Sequence, residues 1–151
     1  MLVMKFGGTS VAGSQRIRGV VEIVKSRLNR KPVVVVSAFS KITDKLIAAA
    51  KLAAENADWL SAFNEIAQAH NAAVEELGLS RQLINADLDE LKLALQNLAA
   101  TKKLASKELD LICSFGERMS SKIVAAYSSK TGLAAAAYNA YDVGMITDSN
   151  F

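Results

Sequence analysis

An unbroken run of valines at residues 33–36 constrains the fold of this chain more than any other feature. The run follows the only proline of the sequence, and no polar residue alternates with its valines. Such a β-branched run is typical of a strand that is covered on both faces, as in a parallel sheet packed between helices. The valines therefore predict a buried strand in an α/β fold.

The segments before this strand complete a larger unit. The short apolar run Leu2–Phe6 ends at a glycine, which indicates a first strand. Ser14 is a suitable N-cap for a helix between the two strands. The apolar residues that would line one face of this helix are Ile17, Val20, Val21, Val24 and Leu28. Strand, helix and strand in this order predict a β-α-β unit and a mostly parallel sheet.

From residue 58 to about residue 104 the strand signals disappear. Two amphipathic patterns, separated by Gly78, predict a helical hairpin inserted into the α/β domain. His70, the only histidine, falls on the apolar face of the first helix, where we expect a hydrogen-bonded packing residue. Since no Cys, Asp or Glu is spaced with it as a ligand set, the sequence predicts neither a metal site nor a Ser-His-Asp hydrolase.

The last third of the chain predicts a long helix over residues 106–130, followed by Gly132. Gly116 lies in the apolar stripe of this helix, where another element can approach closely. Glu117 lies at the border of the stripe, where its carboxylate could bind an ammonium group or remain an ordinary exposed side chain. The apolar residues 133–138 are predicted to form a further strand.

The first strand ends in Lys5-Phe6-Gly7-Gly8-Thr9-Ser10, a sequence suited to phosphate binding. Adjacent glycines let backbone N–H groups line a concavity, and the lysine could supply positive charge beside phosphoryl oxygens. A pair of glycines after a strand also forms ordinary tight turns, so both interpretations remain open. Because ligands of open α/β sheets bind beyond the carboxyl ends of the strands, we expect this loop and the loop after the valines to face one cavity.

Composition excludes several classes of protein. With 151 residues, of which 51% are hydrophobic and 22% charged, the chain is predicted to be one globular domain. Its net charge of +3 is not gathered into a basic patch with interleaved aromatics, which argues against nucleic acid as a partner. Its apolar runs are far shorter than the roughly 20 residues of a membrane span. The single cysteine, Cys113, cannot form an internal disulfide and indicates a reducing, cytoplasmic location.

Several blocks of the sequence together resemble the N-terminal signature blocks of aspartate kinases, in the same order and at similar separations. These blocks are residues 5–11, 35–38 with 42–44, 114–120 and 144–148. The resemblance spans essentially the whole chain. It implies a three-layer α-β-α fold like that of amino-acid kinases, with residues 1–151 as the N-terminal, amino-acid-binding part.

The resemblance also implies an activity and a set of site residues. Aspartate kinases transfer the γ-phosphoryl group of ATP, with Mg²⁺, to the β-carboxylate of L-aspartate, the first step toward lysine, threonine and methionine. By motif match, the residues implied to contact the phosphates are Lys5, Phe6, Gly7, Gly8, Thr9 and Ser10, with Lys5 also catalytic. The residues implied to bind aspartate are Ser37, Thr43 and Glu117.

Aspartate kinases are much longer than this sequence. The resemblance therefore implies that the nucleotide-binding half and the regulatory domains lie outside residues 1–151, and that these residues alone are catalytically silent. We expect an incomplete sheet to favour self-association through its exposed edge. Two alternatives remain: a related kinase acting on another carboxylate or a carbamate, and a non-catalytic module that binds only a small amino acid or a partner chain.

Overall fold

The computed structural model describes residues 1–145 and residue 148. Two strands, β1 (Leu2–Phe6) and β2 (Pro32–Val36), pair in parallel, with Lys5 opposite Val35. The helices of this part of the chain are α1 (Ser14–Lys25), α2 (Ile42–Ala54), α3 (Trp59–Glu76), α4 (Asn85–Thr101) and α5 (Ser106–Lys130).

The predicted β-α-β unit is confirmed, and α1 buries the apolar residues expected of it except one. Ile17, Val20, Val21 and Val24 are buried, whereas Leu28 is 46% exposed. The reason is that α1 ends at Lys25, and Leu28 instead begins a short 3-10 turn before β2. The parallel sheet and the α/β class agree with the sequence analysis.

The prediction that the valine strand is covered on both faces is wrong for the described residues. Val33 and Val35 are 49% and 45% exposed, and Val3 of β1 is 61% exposed on the same side of the sheet. Val34 and Val36 point to the other side and pack against the core. Helices of the described chain thus cover one face of this sheet, and the outer valines contact solvent.

The hairpin helices α3 and α4 pack against α2 and α5. They occupy the range predicted for the helical hairpin; that the hairpin is an insertion stays a prediction.

His70 of α3 is fully buried, its Nδ1 lies 2.8 Å from the carbonyl oxygen of Ile66, and its ring stacks on Phe39 with centroids 4.8 Å apart. Burial lowers the pKa of this imidazole and favours its neutral form. The predicted packing role of His70 is confirmed.

The chain after α5 departs from prediction. Residues 133–138 are irregular rather than a strand. Their run of alanines has low strand propensity, and the Oγ of Ser129 donates to the carbonyl of Ala135, which ties the segment back to the end of α5. In the predicted block at residues 144–148, Ile146 and Thr147 lie outside the described residues.

None of the described helices is both long and apolar enough to cross a membrane.

Candidate functional site

The loops that leave the carboxyl ends of β1 and β2 are joined directly. The Ser37 N–H donates to the Phe6 carbonyl at 3.1 Å, and the Ser40 N–H donates to the Gly8 carbonyl at 3.1 Å. These bonds extend the parallel pairing of the strands into the two loops. The loops are therefore adjacent, as their positions in the sequence predict, and we call this region the loop junction (residues 6–10 and 37–40).

The glycine loop is a single tight turn. Gly7 is extended, and residues Gly8–Ser10 form a 3-10 turn that the Ser10 N–H closes on the Gly7 carbonyl at 2.9 Å. Because Ser10 is the first residue to donate within this turn, the N–H groups of Gly8 and Thr9 have no acceptor inside it. A Cβ at Gly8 would lie 2.8 Å from the Ala38 carbonyl oxygen, so the close approach of the two loops requires glycine there.

Lys5 lies at the end of β1, and its side chain lies next to this turn. The residue is exposed, and its Nζ lies 3.6 Å from the position that a Cβ would take at Gly7. The ammonium group is thus held next to the start of the turn rather than directed away from it. A positive charge and backbone N–H groups at one place form a suitable environment for an anion.

Glu117 reaches the loop junction from α5. At the preceding residue, Gly116, a Cβ would lie only 2.6 Å from the Cβ of Ala38, so the missing side chain lets the helix touch the second loop. The Glu117 Oε1 accepts a hydrogen bond from the Ala38 N–H at 3.1 Å. Since Glu117 is otherwise exposed, its carboxylate is held by the loop and remains accessible to solvent.

Ser120 makes a second connection between α5 and the same loop. Its side chain is fully buried, and its Oγ lies 2.8 Å from the Ser37 carbonyl oxygen and 3.1 Å from the Glu117 carbonyl oxygen. The sequence analysis does not predict this residue. The available signal was a serine on the apolar side of a helix, one turn after Gly116, where a buried hydroxyl needs an acceptor.

Thr43, unlike the other two predicted aspartate-binding residues, is not connected to the loop junction by hydrogen bonds within residues 1–145. It is exposed in the first turn of α2, which begins at Ile42. Lys41, in the left-handed region with φ 66°, turns the chain from the second loop into this helix. Hydrogen bonds connect Ser37 and Glu117 through the junction, whereas the structure gives the side chain of Thr43 no such bond within residues 1–145.

On another side, α5 is anchored to α4 by charges. Asp87 is fully buried in the first turn of α4, with Lys122 Nζ at 2.6 Å and Arg118 Nη2 at 3.0 Å from its carboxylate. The Arg118 contact is an ion pair without hydrogen-bond geometry at Asp87 Oδ1. Arg118 also pairs with Glu90 at 2.6 Å. Burial opposes the charge of Arg118, but the hydrogen bond to Glu90 and the charge of Asp87 outweigh it and raise the pKa of the guanidinium.

Two further features bear on what this region can bind. Among the described residues, no group of three or more His, Cys, Asp and Glu side chains could hold a metal ion. A cleft of about 530 Å³ lies beside the glycine turn, lined by Phe6, Ser10, Gln15, Arg16, Gly19, Val20 and Ile23. This cleft does not include Glu117 or Ser37, so it is separate from the carboxylate side of the junction.

Comparison with known proteins places this geometry in a family. The profile described as the amino acid kinase family matches residues 1–150. The chain belongs to the amino acid kinase family. Within it, the chain is 38% identical to aspartokinase 3, chloroplastic, of Arabidopsis thaliana, covering 99% of this chain and 27% of that protein. It is 32% identical to aspartokinase 3 of Bacillus subtilis, covering 96% of this chain and 33% of that protein.

Solved structures of the amino acid kinase family give the same result. E. coli aspartokinase III in complex with aspartate and ADP matches with a TM-score of 0.74 at 28% identity, covering 87% of this chain and 29% of that chain. The same enzyme in complex with lysine and aspartate matches with a TM-score of 0.77 at 28% identity, covering 88% of this chain and 30% of that chain. The chain spans about a third or less of the length of each of these relatives. The resemblance to aspartate kinases and the α/β fold class are confirmed.

Proposed function

We propose that this chain forms the aspartate-binding and phosphate-contacting part of an ATP-dependent aspartate kinase. The observation that carries the proposal is the loop junction, where the Glu117 carboxylate, the loop of Ser37 and the turn of Gly8 are joined by direct hydrogen bonds. Likeness to an aspartokinase structure that contains aspartate and ADP supports it.

The two sides of the junction have complementary roles in this proposal. The Lys5 ammonium and the N–H groups of Gly8 and Thr9 would contact phosphoryl oxygens, with Phe6, Gly7 and Ser10 lining the same turn. The Glu117 carboxylate, already held by Ala38, would accept from the α-ammonium group of aspartate. The hydroxyls of Ser37 and Thr43 would donate to its carboxylates. Cationic and N–H donors thus lie on one side and an anionic acceptor on the other.

In this reaction the protein mainly positions the two substrates and stabilises charge. The β-carboxylate of aspartate is already ionised near neutral pH, since its pKa is about 4, so no general base is required. The main obstacle is the approach of an anionic carboxylate to an anionic phosphate. Lys5 and the backbone N–H groups would reduce this repulsion, and Mg²⁺ would arrive with ATP and neutralise further phosphate charge.

A hydroxylamine trap tests the proposed function in the complete protein that carries these residues. We expect acyl hydroxamate to form only when ATP and L-aspartate are both present. Residues 1–151 alone, which span a minority of the relatives' length, are expected to form none. Hydroxamate from a different amino acid, but not from aspartate, would instead identify a related kinase of another substrate. Absence of product with every carboxylate would favour a binding module.

Glu117→Ala is expected to raise the KM for aspartate by about 10- to 100-fold in the complete protein, because a charge-assisted bond to the α-ammonium is lost. The KM for ATP should change little. Glu117→Gln should have a similar effect, because glutamine lacks the negative charge that binds the ammonium group. Its amide oxygen can still accept from the Ala38 N–H. Glu108→Ala, an exposed glutamate of the same helix, is the matched control. An unchanged KM for aspartate in Glu117→Ala would contradict the assignment.

Assembly and location are further parts of the proposal. The two-stranded sheet of the described residues has unpaired edges, which supports self-association of this chain by itself. A cytoplasmic location, expected from the single cysteine, stays a prediction, and the relatives of Arabidopsis thaliana are named as chloroplastic. L-Aspartate and ATP are the small-molecule partners that the proposal requires.

A further inference from the structure

We propose that Ser120 is a positioning residue for the aspartate site, because it orients the peptide group that holds Glu117. This inference rests on the proposed function. The Ser120 hydroxyl differs from most other serine hydroxyls of α5 in its hydrogen-bond partner. On α5, Ser114, Ser121 and Ser128 donate to carbonyls of their own helix, three or four residues back, and Ser129 donates to Ala135 just beyond its end. The Ser120 hydroxyl also has a carbonyl of its own helix within reach, but its shorter contact, at 2.8 Å, is to Ser37 in the loop.

The partner atoms of Ser120 and Glu117 belong to one peptide group. The Ser37 carbonyl accepts from the Ser120 hydroxyl, and the Ala38 N–H donates to the Glu117 carboxylate. Because a trans peptide is planar, its C=O and N–H point in opposite directions and rotate together. Glu117 and Ser120 are three residues apart and so share one face of α5. Helix α5 therefore holds both ends of the peptide group between Ser37 and Ala38.

The consequence for Glu117 follows from this rigidity. Ser120 is fully buried, and if its hydroxyl is removed the partly buried Ser37 carbonyl loses its side-chain donor. The peptide can then tilt, and the Ala38 N–H no longer points firmly at the Glu117 carboxylate. The same rotation displaces Ser37, whose side chain is the other proposed aspartate contact at this peptide. Ser120 thus acts on aspartate through two residues without contacting the substrate itself.

The fold also supplies the proximity that this arrangement needs. The Gly116 backbone approaches so closely that a Cβ there would meet the Ala38 Cβ at 2.6 Å. Phe39, the next loop residue, is buried and stacks on His70 of α3. The loop is therefore supported from α3 and α5, and the peptide between Ser37 and Ala38 is the part of it that α5 orients by side-chain hydrogen bonds.

The kinetic test compares Ser120→Ala with Ser128→Ala in the complete protein. Both variants remove a buried hydroxyl from α5, but only the first loses a bond to the loop. We expect Ser120→Ala to raise the KM for aspartate by about tenfold, with the KM for ATP and kcat within about twofold of the wild type. Ser128→Ala should leave the KM for aspartate unchanged. Equal effects of the two variants, or none, would overturn the positioning role.

A double-mutant cycle tests the route of the effect. In a Glu117→Ala background, Ser120→Ala should raise the KM for aspartate much less than it does in the wild type, because residues that act through one another are not additive. Full additivity would overturn the claim that Ser120 acts through Glu117.

Amide hydrogen exchange separates this inference from the proposed function. In the 151-residue chain, the Ala38 N–H should exchange about tenfold faster in Ser120→Ala than in the wild type or in Ser128→Ala. A complete protein that shows no aspartate-dependent reaction would overturn the proposed function, while faster exchange at Ala38 would still support the peptide orientation. Unchanged exchange at Ala38 would overturn that orientation whatever the enzyme does.

Discussion

Lys5→Ala is expected to lower the turnover number of the complete protein by about 100- to 1000-fold, the loss typical of removing one preorganised group that stabilises developing charge. The Nζ of Lys5 lies over the start of the glycine turn, next to N–H groups that have no acceptor within that turn. No other lysine lies within residues 1–10. The KM for aspartate should change little, because the proposed aspartate contacts are made by other residues.

Two further variants make the Lys5 prediction specific. Lys31→Ala removes an exposed lysine immediately before β2, at the opposite end of the sheet, and should leave turnover unchanged. Lys5→Arg keeps the charge but replaces a compact ammonium by a planar guanidinium, so partial activity is expected. Steady-state kinetics with saturating ATP and aspartate measures all three variants. Turnover of Lys5→Ala within about twofold of the wild type would remove Lys5 from its catalytic role.

Asp87→Ala is expected to lower the free energy of unfolding of the 151-residue chain by about 3 kcal/mol, near the lower limit for breaking a buried ion pair. The carboxylate is fully buried between Arg118 and Lys122, and its removal leaves two cations without this partner. The loss stays near that limit because Arg118 keeps Glu90 and the Lys122 side chain is 33% exposed. The charge in the first turn of α4 also favours that helix.

Urea unfolding followed by circular dichroism measures this effect. Asp89→Ala removes the same charge from an exposed position of the same helix, and should change the free energy of unfolding by no more than about 0.5 kcal/mol. Asp87→Asn keeps the volume of the side chain and should lie between the wild type and Asp87→Ala. Equal stabilities of Asp87→Ala and Asp89→Ala would show that the buried ion pairs do not stabilise α5 against α4.

The parts of the fold that could be predicted depend on local signals. Runs of apolar residues indicated β1 and β2, and spacings of three and four residues indicated the buried face of α1. The long helix α5 was predicted over the residues that it occupies, Ser106–Lys130. These signals are reliable because hydrophobic periodicity and chain breaks act within a few residues of one another.

Predictions failed where the outcome depends on distant parts of the chain. An apolar run indicates that a strand suits a buried sheet, but it does not state which layers pack on it, so the exposure of Val33 and Val35 could not be read from it. Residues 133–138 are apolar enough for a strand, yet they follow the end of α5 and do not pair with β1 or β2. Strand formation requires a partner at a matching edge, which local sequence does not specify.

In the candidate site too, local motifs indicated some of the residues, whereas contacts between distant parts of the chain were not predicted. Motif matching indicated Lys5, Gly7, Gly8, Ser37 and Glu117, and the structure brings together the elements on which they lie: the end of β1, the two loops and α5. Their roles toward phosphate and aspartate stay predictions. Sequence reasoning did not find the peptide between Ser37 and Ala38, which α5 contacts at both ends. Those two hydrogen bonds join residues that are 79 and 83 positions apart. Nearly every residue has a backbone N–H and C=O, so the identities of Ser37 and Ala38 do not indicate that their peptide group will be hydrogen-bonded by α5.

The sequence by itself determined which chemical groups this protein can offer: a lysine at the end of a strand, a glycine turn, and a glutamate and a serine three residues apart on one helix. The positions of the two loops after parallel strands also predicted that they lie together, but only the tertiary structure decided how closely they approach each other and that α5 contacts them. The absence of a Cβ at Gly116 lets α5 touch Ala38, and the absence of one at Gly8 lets the glycine turn touch the same loop. Packing of non-local elements at van der Waals distance, rather than any local preference, brings the groups together at one junction.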